Sequence, residues 1–217
     1  MMPQRLQREE YLKKLIAFQD KNIIKIITGI RRCGKSTLME IFQDHLRSTG
    51  VENSQILHIN FEDFDYRPLR DPAALHSYIT ERMARDRMTY VFLDEIQHVP
   101  DWQDVVDSLH LRKNLDIYIT GSNAYLLSSE IATLISGRYV EIKMLPLSFR
   151  EFVSATGGEA NLPKAYRQYV ESSSFPYALA LLDHPKELRD YLEGIYNTVV
   201  VKDLASRKKI PDVMMLE

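Results

Sequence analysis

Residues 29–38 read GIRRCGKSTL, and this stretch decides the fold. The spacing of its glycines, lysine and serine matches GxxxxGK[ST], the pattern of loops that wrap around phosphate groups. The apolar run from Ile23 to Thr28 predicts a buried strand before the loop, and Thr37-Leu38-Met39 predicts the first turn of a helix after it. A strand on one side and a helix on the other are the context that the pattern requires. The sequence therefore predicts a phosphate-binding loop.

Each part of this loop has a chemical role in the prediction. The glycines let main-chain N–H groups curl around phosphates, and the N-terminus of the following helix adds positive potential. Lys35 is expected to reach the β and γ phosphates, and the Ser36 hydroxyl is expected to ligate magnesium. The predicted nucleotide-contacting residues are Gly29, Ile30, Arg31, Arg32, Cys33, Gly34, Lys35, Ser36 and Thr37.

A second motif, YVFLDE at residues 90–95, is an apolar strand that ends in two acids. At the end of a parallel strand beside the loop, Asp94 can hold the magnesium shell in the Walker B role, and Glu95 can activate the attacking water. An ordinary acidic strand end is the alternative. The acid pair favours a hydrolase over a small-molecule kinase, because a kinase transfers phosphate to a bound hydroxyl and needs no carboxylate to polarise water.

Two later segments supply further candidates. Residues 117–123 read IYITGSN, a predicted strand that ends in small polar residues. Ser122, and after it Asn123, could sense the γ-phosphate and orient water, although a simple turn favours the same residue types. Arg138, just before the last predicted strand, could stabilise the charge of a transition state in its own site or in a neighbour's. A surface arginine without a catalytic role is the alternative.

The pattern of the whole chain predicts an α/β fold. Short apolar runs alternate with longer amphipathic segments, which indicates a parallel sheet with helices on both faces, a three-layer sandwich. The segment from Ala155 to Asn161, which contains Gly157-Gly158, is interpreted as a linker. Residues 1–155 are then predicted to form the phosphate-loop core, and residues 156–217 a small helical part. The predicted strands are Ile23–Thr28, Ile56–Phe61, Tyr90–Leu93, Ile117–Thr120 and Tyr139–Met144.

Composition narrows the class of protein. The 28 Lys and Arg against 30 Asp and Glu give a formal charge of −2, so that no whole-molecule field attracts nucleic acid or anionic lipid. The single cysteine, Cys33, cannot form an intramolecular disulfide, and no apolar run approaches the roughly 20 residues needed to span a bilayer. We expect a cytoplasmic protein without a membrane partner. The six scattered histidines predict no metal site built by protein ligands alone.

Taken together, these motifs resemble the prokaryotic AAA-type ATPases that carry a C-terminal domain of unknown function. The resemblance rests on the loop, on LDEIQ at 93–97 with Trp102, on Thr120-Gly121-Ser122, and on Gly137-Arg138-Tyr139 leading to PLSFREF at 146–152. It implies an ATPase core with strand order 5-1-4-3-2, a helical lid, and then a winged-helix part. Residues 196–212 resemble the entrance to that part, and we expect this chain to be a fragment of a longer protein.

Two positions depart from the family pattern. The family has a glycine pair and an acid around its Phe-Pro, whereas this chain has Ser173-Ser174-Phe175-Pro176-Tyr177, which affects the turn in the lid. Cys33 stands where the family often has a larger or β-branched residue. A thiol beside Lys35 and a helix N-terminus would have a lowered pKa, which allows a redox role, but a variable loop position is the favoured interpretation.

The favoured function is magnesium-dependent hydrolysis of ATP that drives or gates the C-terminal part. Lys35 binds phosphate, Ser36 and Asp94 hold magnesium, and Glu95 activates water. The rival is a nucleotide-gated switch that binds ATP or ADP and turns over slowly. A GTPase lacks support, because Lys113-Asn114-Leu115-Asp116 has the wrong order to read guanine. The partners expected are ATP and ADP, a second copy as an open alternative, and DNA only through the C-terminal part.

Overall fold

A computed structural model describes residues 6–122 and 137–198 of the chain. In this part, five parallel strands form one sheet in the order β2-β3-β4-β1-β5. Read from the other edge, this is the order 5-1-4-3-2 that the resemblance implied, so the predicted fold class is confirmed. The strands are β1 (Ile24–Gly29), β2 (Ile56–Asn60), β3 (Thr89–Asp94), β4 (Leu115–Ser122) and β5 (Tyr139–Met144).

The helices begin where the sequence supplies caps. The Asp71 side chain accepts a hydrogen bond from the main-chain N–H of Ala74 at 2.8 Å, just before the Pro at the first helical position. Ser148 and Glu151 form a capping box at the start of another helix. The α-helices among the described residues are α1 (Glu9–Ala17), α2 (Lys35–Ser48), α3 (Pro72–Arg82), α4 (Trp102–His110), α5 (Phe149–Thr156), α6 (Leu162–Ser172) and α7 (Pro185–Asn197).

The chain forms two compact units. The first consists of Gln7–Gly29 and Lys35–Met144 and holds the sheet; the second consists of Met1–Leu6, Ile30–Gly34 and Leu145–Glu217. The predicted division after residue 155 stays a prediction, and most of the segment 196–212 lies outside the described residues. No helix in the described ranges is both long and apolar enough to cross a bilayer.

The interior of the first unit explains the apolar pattern of the strands. Every residue of β1 and of β3 is buried, because each strand has a neighbour on both sides and helices pack on the sheet. The contacts of β1 with β4 on one side and β5 on the other fix its end, Gly29, in the middle of the sheet. The loop that follows Gly29 therefore starts from a buried strand that is paired on both sides.

The second unit contains the turn at Ser173, where the resemblance implied a glycine pair. Ser173 adopts φ 81°, in the left-handed region that favours glycine. The main-chain N–H of Leu147 donates to the carbonyl of Ser174 at 2.7 Å, and the Tyr169 hydroxyl donates to the carbonyl of Leu147 at 2.8 Å. These bonds hold the turn although its residue is serine.

A buried ion pair stabilises the amino edge of the sheet, where the strands begin. Lys25 and Asp116 lie on the adjacent strands β1 and β4, and their side chains are 0% and 1% exposed. Burial lowers the pKa of Lys25 and raises that of Asp116, while the attraction between the two charges opposes both shifts. The Tyr118 hydroxyl donates to the second oxygen of Asp116 at 2.8 Å. The charges of Lys25 and Asp116 therefore stabilise the sheet at its amino edge.

Candidate functional site

The candidate site lies at the carboxyl edge of the sheet, where β1, β3 and β4 end side by side. Gly29 at the end of β1 is in register with Ser122 at the end of β4. Leu93, next to the end of β3, is in register with Ile119 of β4. Because the strands are parallel, the loops that follow them leave from the same edge, which is where ligands bind in open α/β sheets.

Lys35 occupies the centre of this edge. It is the first residue of α2 and only 4% exposed. Its ammonium Nζ donates to the carbonyl of Gly29 at 3.2 Å and lies 3.5 Å from Oε1 of Glu95. The structure therefore brings the predicted phosphate-binding cation to the predicted catalytic carboxylate.

The loop residues 30–34 join β1 to α2. Gly34 has φ 100°, a conformation that strongly favours glycine, which gives the second glycine of the motif a structural reason. Arg32 has φ 64°, and its guanidinium lies 5.6 Å from the ring centroid of Tyr191 on α7, in the same compact unit. Cys33 is buried and forms no disulfide. Ser36 is half-buried and Thr37 is exposed in the first turn of α2.

The two acids after β3 are organised by Thr120. The Thr120 hydroxyl donates to Oδ1 of Asp94 and accepts a hydrogen bond from the main-chain N–H of Glu95 at 2.9 Å. Both Asp94 and Thr120 are 0% exposed. One hydroxyl on β4 thus contacts the carboxylate of Asp94, the last residue of β3, and the main chain of Glu95, the residue after it.

Thr120 was not singled out by the sequence analysis, which favoured Ser122 in the same segment. Thr120 lies two positions before Ser122 in the same strand. A threonine at the end of an apolar run is the signal that could have identified it. The side chain of Ser122 and the whole of Asn123 lie outside the described part of the structure, so the sensing role of Ser122 stays a prediction.

Glu95 sits in a tight turn directly after β3. Its backbone is left-handed, with φ 56° and ψ 51°, and its side chain is 10% exposed. Non-glycine residues in this region carry strain and are concentrated at functional sites. The second oxygen of its carboxylate accepts a hydrogen bond from Nε2 of Gln97. Gln97 is a further site residue that the sequence analysis did not identify.

Magnesium fits the donor set of this edge. Oδ2 of Asp94 is buried and has no hydrogen-bond partner among the described residues, which makes it an available ligand for a hard cation. The Ser36 hydroxyl, one residue after Lys35, is the second candidate ligand. No group of three or more His, Cys, Asp or Glu that could hold a metal occurs in the described residues. A magnesium ion would therefore be completed by phosphate oxygens and water, as in other nucleotide sites.

Arg138 is not brought to this site. It precedes β5, and its carbonyl accepts a hydrogen bond from the main-chain N–H of Ile24, the first residue of β1. Burial, and then the positive charge of Arg138, lower the pKa of His110 at the end of α4. Arg138 thus lies at the amino edge, about 17 Å along β1 from Gly29, given a rise of about 3.3 Å per residue. An arginine in this place does not reach the phosphate site of its own chain.

The chain is similar to one family model and to two uncharacterized proteins. The model of a family described as an AAA domain matches residues 21–153. An uncharacterized protein of Haemophilus influenzae is 41% identical over 216 residues, 98% of this chain and 54% of its own length. An uncharacterized protein of Methanocaldococcus jannaschii is 33% identical over 83% of this chain and 42% of its own length. This chain therefore spans about half the length of these relatives.

Solved structures with low sequence identity share the fold. A Walker-type ATPase of Pyrococcus abyssi is 16% identical with a TM-score of 0.57, over 95% of this chain and 77% of that one. The ORC1 protein of Aeropyrum pernix, solved in complex with DNA, is 16% identical with a TM-score of 0.55, over 100% and 73%. At this identity the likeness concerns the fold.

Replacement of Thr120 tests the two hydrogen bonds that its hydroxyl makes with Asp94 and Glu95. Thr120→Val keeps the branched shape but leaves the buried Asp94 carboxylate and the Glu95 N–H without a partner. We expect the free energy of unfolding to fall by about 1–3 kcal/mol, the cost of an unsatisfied buried polar group. Thr120→Ser, which keeps the hydroxyl, is the matched control and should lose less. Chemical denaturation measures both, and equal losses would show that the hydroxyl is unimportant.

Proposed function

The chain belongs to the AAA domain family, and we propose that it binds ATP and hydrolyses it with magnesium. One observation carries the proposal: Lys35, held by the end of β1, lies 3.5 Å from the carboxylate of Glu95. A cation for phosphate and a base for water are thus adjacent at the end of a glycine-rich loop. This combination is needed to break a phosphoanhydride bond with water.

In the proposed reaction, Lys35 binds the β and γ phosphates and the main-chain N–H groups of the loop 29–36 surround them. The nucleotide-contacting residues are the predicted set 29–37. The positive end of α2 adds to the attraction for phosphate. Glu95 accepts a proton from the attacking water, and Ser122 senses the γ-phosphate. Transfer of the phosphoryl group to water yields ADP and inorganic phosphate.

Magnesium would be held by Ser36 and Asp94. When bound, the ion would neutralise charge on the phosphates as they are transferred. The support is the buried Oδ2 of Asp94, which has no hydrogen-bond partner in the part of the chain that the structure describes. The Thr120 hydroxyl donates to the other oxygen, which leaves Oδ2 available as a ligand.

A slow nucleotide-gated switch is the second candidate. The contact between Lys35 and Glu95 favours it, because the base must separate from this cation, or share it with phosphate, before it serves water. A steady-state assay with magnesium separates the two functions. Turnover well below about 1 per second falls beneath the range of ordinary enzymes and would favour the switch.

Arg138 is proposed to act in a second copy of the chain. Its place at the amino edge is far from its own Gly29, whereas a neighbouring copy that packs head to tail could receive it. A guanidinium that reaches the γ-phosphate stabilises transition-state charge without being required for binding. The proposal therefore includes a homo-oligomer in which the site of one copy is completed by the next.

ATP hydrolysis is proposed to act on the remainder of the full-length protein. This chain spans about half of its relatives, and the resemblance implies a winged-helix part after residue 196. Hydrolysis would drive or gate that part, and contact with DNA, if it occurs, belongs there. A cytoplasmic location belongs to the proposal because ATP is supplied in that compartment.

The first test of hydrolysis is Glu95→Gln. The amide keeps the shape of the side chain but cannot take a proton from water. ATP and magnesium should bind as in the unmodified chain, while hydrolysis falls about 10²-fold or more, the scale of a lost general base. Equilibrium nucleotide titration and a phosphate-release assay measure the two properties. Full activity would assign the base to another residue.

The test of Arg138 uses mixed subunits. Arg138→Ala should bind ATP normally and hydrolyse it slowly, because an arginine of this kind contributes about 10³ to 10⁵ in rate. When it is mixed with Lys35→Ala, some sites combine an intact loop with an intact arginine from the neighbour, and hydrolysis should recover. If the two variants co-assemble without recovery, Arg138 does not act between copies.

A further inference from the structure

The carboxylate of Glu95 is oriented by two side chains. Oε1 lies 3.5 Å from Nζ of Lys35, and Oε2 accepts a hydrogen bond from Nε2 of Gln97. With only 10% of the Glu95 side chain exposed, these contacts rather than solvent determine where the carboxylate points. A general base must be held within hydrogen-bonding reach of its water, so the groups that hold it affect the rate.

The two contacts respond differently to an incoming nucleotide. Lys35 carries a full positive charge, and the phosphates of a bound triphosphate compete with Glu95 for its three donors. Gln97 is neutral, so the negative charge of a triphosphate does not draw its amide away. Gln97 is therefore the contact that can still hold Glu95 when the site is occupied.

The backbone conformation after β3 brings Gln97 next to Glu95. The left-handed conformation of Glu95 leads directly into a single 3₁₀ turn, Ile96–His98. The main-chain N–H of His98 donates to the carbonyl of Glu95 at 3.3 Å and closes the turn. The turn places the Gln97 amide beside the carboxylate two residues earlier in the chain.

Gln97 does not serve as a cross-link to another part of the fold. Its Oε1 is buried and has no hydrogen-bond partner in the described ranges. A structural glutamine would use both ends of its amide, since an unsatisfied buried oxygen is costly. Among the described residues, only the end of the amide that faces Glu95 makes a hydrogen bond, so the contact with Glu95 is what the side chain contributes.

We infer that Gln97 is a positioning residue that holds the carboxylate of Glu95 in place for proton transfer during hydrolysis. This inference rests on the proposed hydrolytic function. It assigns to Gln97 no contact with the nucleotide. Its loss should therefore lower the rate of the chemical step and leave ATP binding unchanged.

The first part of the test is Gln97→Met, which keeps the length of the side chain and removes the donor. We expect kcat to fall about 10- to 100-fold, the scale of a small displacement of a catalytic group, with KM for ATP and the melting temperature unchanged. Gln103→Met, on α4 and outside the site, is the matched control and should retain full kcat. A wild-type kcat in Gln97→Met would overturn the inference.

The second part is a double-mutant cycle with Glu95→Gln, followed in single-turnover assays. If Gln97 acts only through Glu95, then Gln97→Met causes no further loss in the Glu95→Gln background. Equal losses in both backgrounds would show that Gln97 acts independently of Glu95 and would overturn the inference. If the unmodified chain binds ATP without any turnover, the proposed hydrolysis itself is wrong and the inference falls with it. Normal wild-type turnover with additive losses overturns the inference alone.

Discussion

The approach of Lys35 to Glu95 at the carboxyl edge of the sheet is the interaction on which the site depends. The two residues come from different segments of the chain. Lys35 begins the helix after β1, and Glu95 follows β3. In the sheet, β4 lies between β1 and β3 and pairs with both in parallel register, so that the segments carrying Lys35 and Glu95 leave from the same edge. The strand order is thus a condition of the chemistry as well as a property of the fold.

Charge balance at this edge explains why it suits a triphosphate with magnesium. One buried cation, Lys35, stands among two buried acids, Asp94 and Glu95, and buried charges are costly unless they are paired. Lys35 contacts Glu95, whereas Asp94 receives a hydrogen bond from Thr120 and keeps one oxygen without a partner among the described residues. In the proposed site, a divalent cation would supply the missing positive charge, and phosphates would supply the anion that Lys35 and the loop N–H groups attract.

The sequence predicted those features that are encoded locally or by family pattern. The glycine spacing predicted the loop, the apolar runs predicted the strands, and the resemblance implied the strand order. Thr120 and Gln97 were missed because their importance depends on which strands become neighbours and on a left-handed residue at Glu95. The remoteness of Arg138 from Gly29 also required the register of β5 with β1. Such pairings between distant segments cannot be predicted from the residues of one segment alone.

The central claim is that the loop from Gly29 to Ser36 binds the phosphates, and a titration of ATP against Lys35→Ala tests it most directly. Alanine removes the ammonium but leaves the backbone of the loop and the start of α2 intact, so the fold should be preserved. We predict that the unmodified chain binds ATP with magnesium and that Lys35→Ala has lost this affinity, as measured by isothermal calorimetry on folded protein. An unchanged affinity for ATP in Lys35→Ala would contradict the account, because the phosphates would then be bound elsewhere.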